Sequence, residues 1–109
     1  MATSGSLGAG AVRHIVMLKI AEKQNVAKAV QELAKLARGV SGVTWNSFSL
    51  NTDLGLVDTN FDIALVIDFP DKENYLAYAK HPDHVAVVQT NAPLVAARSA
   101  IQFSLAPKL

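Results

Sequence analysis

The chain has 109 residues, of which 50% are apolar and 17% charged, and its formal net charge is +1. That length makes one domain with a modest core, and a domain of this size buries roughly two-thirds of the surface its unfolded chain exposes. There is no basic stripe to suit nucleic acid and no apolar run of membrane-spanning length. With no cysteine there are no disulfides, thiolate chemistry or Cys-ligated zinc. Zero cysteine fits a reducing cytosol, so a cytoplasmic location is expected.

Residues 1–11, "MATSGSLGAGA", are small and polar, without the charged and apolar regions of a signal peptide. They are expected to form a disordered arm ahead of one domain over residues 12–109. "VRHIVMLKI" reads as a strand. Val12, His14, Val16, Leu18 and Ile20 share one face; Arg13, Ile15, Met17 and Lys19 share the other. The second face is charged at its ends and apolar in its middle.

A helix is expected from about Asn25 to Gly39, with Val26, Val30, Leu33, Ala34, Ala37 and Val40 at helical spacing. Asn25 is its expected N-cap, and Gly39 and Gly42 end it. "VTWNSFSL" reads as a second strand, in which Trp45 and Phe48 fall on opposite faces unless a bulge intervenes. "NTDLGLVDTN" reads as a loop.

The third strand, "FDIALVIDF", alternates cleanly. Phe61, Ile63, Leu65, Ile67 and Phe69 face one way; Asp62, Ala64, Val66 and Asp68 face the other. Six residues at ~3.3 Å each separate Asp62 from Asp68 by about 20 Å, too far for a catalytic carboxylate pair. Both are expected to be solvated strand ends.

The next helix has Asp71 as its N-cap and Glu73 in its first turn. Pro82 must break it, since proline lacks an N–H and its ring clashes with the carbonyl of Tyr78. A further helical piece runs to about Asn91, and "AARSAIQFSL" closes the chain as a strand. The order is βαββαβ, an α+β fold of the ferredoxin-like kind with a four-stranded antiparallel sheet and its helices on one face. One helical layer cannot cover both faces, so a second copy is expected to pack sheet against sheet.

"RHIVMLKI", "FDIALVIDF" and above all "YLAYAKHPDHVAVV" resemble the stress-responsive dimeric A/B barrel (Dabb) family over about Val12 to Phe103. The resemblance implies homodimers whose sheets close a dimeric α/β barrel. The family includes heat-stable plant stress proteins and a polyketide cyclase, the olivetolic acid cyclase. By that resemblance the cyclase's catalytic histidine falls on His84, its partner tyrosine on Tyr78 and a first-strand histidine on His14. Its other pocket histidine falls on Ile63 and a first-helix tyrosine on Val30, so two polar partners are replaced by apolar side chains.

A pocket between sheet and helices is then expected, walled by Val16, Leu18, Val30, Ile63 and Leu65, with His14, Tyr78 and His84 as polar groups. His81 stands at its edge and reads as a cap at the helix break. His84 has two readings. It is a general base partnered by Tyr78, or it bonds a backbone group freed at the proline. Zinc on His14, His81 and His84 is disfavoured by i, i+3 spacing across a proline, so no metal and no cofactor is expected. The expected function is a small homodimer holding an apolar or aromatic molecule without an assigned reaction. The alternatives are a cofactor-independent, cyclase-like enzyme of the intramolecular aldol type and, from Trp45, a cofactor-free monooxygenase of the same fold.

Overall fold

The computed structural model describes residues 10–105. The expected disordered arm therefore lies outside the described residues, except for Gly10 and Ala11. Ala11 is not part of any free arm: it is buried, and its carbonyl accepts from the N–H of Leu105 at 2.8 Å.

The elements are β1 (Val12–Ile20), α1 (Val26–Ala34), β2 (Ser47–Thr52), β3 (Ile63–Phe69), α2 (Lys72–Lys80), α3 (Pro82–Asn91) and β4 (Val95–Ser104). The four strands form one antiparallel sheet in the order β2-β3-β1-β4. This is the expected ferredoxin-like topology. Val16, Leu18, Ile20, Leu65, Ile67 and Phe69 meet the helices in a single core.

Several boundaries differ from the expected ones, among them the start of β3, at Ile63 and not Phe61. The first helix is shorter, because 3-10 turns flank it at Lys23–Asn25 and Lys35–Arg38. Asn25 makes no side-chain cap bond. Gly39 ends the segment at φ 100°, a conformation that glycine adopts without Cβ strain. The second strand starts at Ser47, so Trp45 precedes it and strand alternation does not govern its side. Its ring lies 5.4 Å from that of Phe48, on the same side of the sheet. Asn51 and Thr52, expected in the following loop, belong to β2.

The two aspartates are buried, not solvated. Asp68 accepts from Arg13 Nε at 2.8 Å and Nη2 at 2.9 Å across the β1–β3 pair. Asp62 sits ahead of β3, accepts the Ile20 N–H at 2.7 Å and pairs with Lys23. The alternation pattern could not show these partners, because they come from another strand and from the turn after it.

On the outer face, register places Val66, Ile15 and Ile101 in one row across β3, β1 and β4. Met17, Ile101 and Phe103 are exposed there, 40%, 55% and 40% accessible. The outer face is thus apolar in its middle, with the Arg13–Asp68 pair near one end.

Candidate functional site

The chemistry converges where α2 stops and α3 begins. Asp71 caps α2 as expected, accepting from the Asn74 N–H at 2.8 Å. The proline then forces two helices in place of one, and the broken ends need partners. His81 supplies one: it ends α2 and caps α3, its Nδ1 accepting the Asp83 N–H at 3.0 Å. The Tyr78 carbonyl, freed by the proline, takes the His81 N–H at 3.1 Å. The His84 ring turns to the next carbonyl, with Nδ1–H donating to the Ala79 oxygen at 2.9 Å.

That bond places the His84 proton on Nδ1 and leaves Nε2 as an acceptor. The same ring lines a cavity of about 240 Å³ between β1 and β4 on one side and the helices on the other. The two readings of His84 are therefore compatible, because one nitrogen holds the backbone and the other remains for the cavity. Burial lowers its pKa, the Ala79 bond works against that, and the charge of Arg98 lowers it further.

Tyr78 packs beside it with ring centroids 4.3 Å apart. The tyrosine is 1% exposed, and its hydroxyl has no hydrogen-bond partner among the described residues. Burial pushes its pKa up, so it stays protonated and able to donate. Across the cavity, His14 is buried and its Nδ1 accepts from Gln102 Nε2 at 2.9 Å. Its proton therefore sits on Nε2. Desolvation, then Arg98 and His84, lower its pKa to about 4.

Of the residues expected at a pocket, the structure brings His14, Val16, Leu18, Leu65, Tyr78 and His84 together around this cavity. It does not bring Val30, Ile63 or His81 to it. Val30 borders a separate open cleft with Lys23 and Thr52. Ile63 is spent in the core, and His81 on the cap. Trp45 packs in an aromatic cluster with Phe48, Phe69 and Tyr78, away from the cavity wall.

Sequence reasoning missed Asn91 and Arg98. Asn91 is buried, lines the cavity and ties α3 to α1 by donating to the Ala29 carbonyl at 3.1 Å. Arg98 lies on the inner face of β4, opposite Leu18. Only the pairing register, which the sequence does not print, puts it there.

The family model of the Stress responsive A/B Barrel Domain matches residues 12–105. The chain belongs to this family. Among solved structures, a dimeric ferredoxin-like protein of unknown function from Thermobifida fusca is 31% identical, with a TM-score of 0.74 over 89% of this chain and 92% of that one. A Dabb family protein with a ferredoxin-like fold from Mesorhizobium loti is 22% identical, with a TM-score of 0.67 over 86% and 95%. A hydroxynitrile lyase from Passiflora edulis shares the fold at 15% identity, with a TM-score of 0.73 over 92% and 97%. No curated protein matches the sequence significantly.

Proposed function

We propose that this A/B barrel protein is a cytoplasmic homodimer that holds a small, largely apolar or aromatic molecule in the cavity between β1, β4 and α3. One observation carries this reading: the Tyr78 hydroxyl is buried without a partner beside an imidazole nitrogen left free. An unsatisfied buried hydroxyl costs roughly 1–3 kcal/mol, and a core with no ligand to bind gains nothing by keeping one. The walls are mostly apolar, with few polar groups, as in small-ligand sites. At about 240 Å³ the space is just below the roughly 300–1,000 Å³ typical of such sites, which suits a one- or two-ring molecule. Dimeric relatives and the apolar outer face support the homodimer.

A second reading, acid–base catalysis without a cofactor, has its own support in the His84 tautomer. Nε2 can accept a proton, Nδ1–H is anchored to Ala79, and the neighbouring Tyr78 can donate to a developing oxyanion. Val30 and Ile63, where the cyclase of this family carries further polar groups, lie off the cavity, so its full set of polar partners is not reproduced here. That the fold also serves a hydroxynitrile lyase is consistent with chemistry in such a frame.

The test uses 2-naphthol, whose hydroxyl can donate to His84 Nε2 and accept from Tyr78. Calorimetry should show binding to the wild type, a loss of at least ~10-fold for His84→Ala, and no change for His81→Ala. Any aromatic compound found to turn over should lose ~10²-fold with His84→Ala. If His84→Ala binds and turns over normally while His81→Ala does neither, the site is wrongly placed.

A further inference from the structure

We propose that the cavity selects negatively charged ligands, with Arg98 as the anchor for a small aromatic monocarboxylate whose rings enter the apolar interior. This rests on the reading of the cavity as a ligand site and adds the chemical class of what fills it.

Arg98 is exposed and also lines the cavity, so it stands at the opening. The neighbouring inward positions of β1 are Val16 and Leu18, and Leu18 is its direct cross-strand partner. A guanidinium on this face has an apolar setting to one side and water to the other.

Three other cations have carboxylate partners: Arg13 with Asp68, Lys23 with Asp62 and Lys35 with Glu32. Arg98 forms no ion pair among the described residues, and no acidic side chain lines the cavity. Burial holds both imidazoles toward their neutral forms and Tyr78 toward its protonated form; the charge of Arg98 adds to the two imidazole shifts and works against that of Tyr78. At neutral pH the wall therefore carries one formal charge, and it is positive.

The hydrogen-bonding groups have the same bias. The Arg98 guanidinium, the Nε2–H of His14 and the hydroxyl of Tyr78 are donors, against His84 Nε2 and the side-chain oxygen of Asn91 as acceptors. A donor-rich, cationic mouth over an apolar chamber complements acceptor oxygens that carry charge, and arginine is the side chain best shaped for a carboxylate.

The matched probes are 2-naphthoate and 2-naphthamide, nearly identical in shape and differing in charge. At pH 7.5 the wild-type protein should bind the naphthoate at least ~10-fold more tightly, the size of a charge-assisted hydrogen bond, and added salt should narrow the gap. Arg98→Met should remove the preference by weakening naphthoate at least ~10-fold more than naphthamide, and Arg98→Lys should keep part of it. Val88→Trp, at a half-exposed position on the wall, should exclude both probes and so place them in the cavity. Equal binding of both probes by the wild type would overturn the charge selectivity while leaving the cavity a ligand site. A preference that survives Arg98→Met would overturn the anchor. Failure of both probes to bind would remove the ligand site and this inference together.

Discussion

Val66→Asp should turn the proposed homodimer into a monomer at micromolar concentration. Val66 sits on the outer face of β3, directly across from Ile15, which in turn faces Ile101 on β4. None of the helices among the described residues covers that face. If a second copy covers it, a two-fold axis brings in two new carboxylates at once. An unpaired buried charge costs several kcal/mol, which corresponds to a rise in the dimer dissociation constant of about 100-fold or more. Light scattering should give twice the 11.6 kDa chain mass for the wild type and the single-chain mass for the variant. Val66→Ser should fall between them. A wild type that scatters only as a single chain would contradict the homodimer, and an unshifted variant dimer would mean that another surface makes the contact.

Stability should fall steeply between pH 6.5 and 4, with His14 as the main cause. Its folded-state pKa is about 4 against an ordinary 6.5, because burial disfavours the charged ring. In that window the unfolded chain binds a proton that the folded chain refuses, so protonation favours unfolding. The contribution is fully present above pH 6.5 and is lost as pH falls toward 4, by an amount on the order of 3 kcal/mol. His84, also lowered, acts in the same direction. The depressed carboxyls of Asp62 and Asp68 stabilise above the ordinary carboxyl value of 3.8 and lose that below it, so they act at lower pH. Urea unfolding at fixed protein concentration, at pH 7.5 and 4.5, should show the loss. His14→Gln, which keeps a polar partner for Gln102, should shrink it. An equal loss in the variant would contradict the assignment.

Much of this architecture is legible in the residues. Unbroken alternation in β1 and β3 assigns both faces correctly, since a period of two leaves no freedom once one face is buried. Pro82 fixes the break between α2 and α3 and makes His81 its cap. The limits are equally physical. Trp45 could not be placed by alternation, because it precedes the strand. Asp62 reads as a solvated end because its partners, Ile20 and Lys23, are distant in sequence. Val30 is expected in the pocket because the resemblance sets a first-helix tyrosine of the cyclase there, and it lies instead beside the cleft with Lys23 and Thr52. Periodicity gives the direction of a side chain but not the gaps left between packed elements. Arg98, Ala100 and Gln102 alternate toward the helices from β4, but their mixed polarity hides the strand's inner face. No residue of β4 is buried, so the usual hydrophobic signal is missing where the cavity opens.

In the proposed function Tyr78 keeps its hydroxyl for a ligand and not for the fold. The direct measurement pairs urea stability with calorimetric binding of 2-naphthol for the wild type and Tyr78→Phe. The ring's packing against Phe69 and His84 is retained in the variant, and only the unpartnered oxygen is removed. Stability should be unchanged or higher by about 1 kcal/mol, while affinity for 2-naphthol falls by about 10-fold. A variant that loses stability by more than about 1 kcal/mol and binds 2-naphthol as the wild type does would contradict the account, because the hydroxyl would then serve the fold.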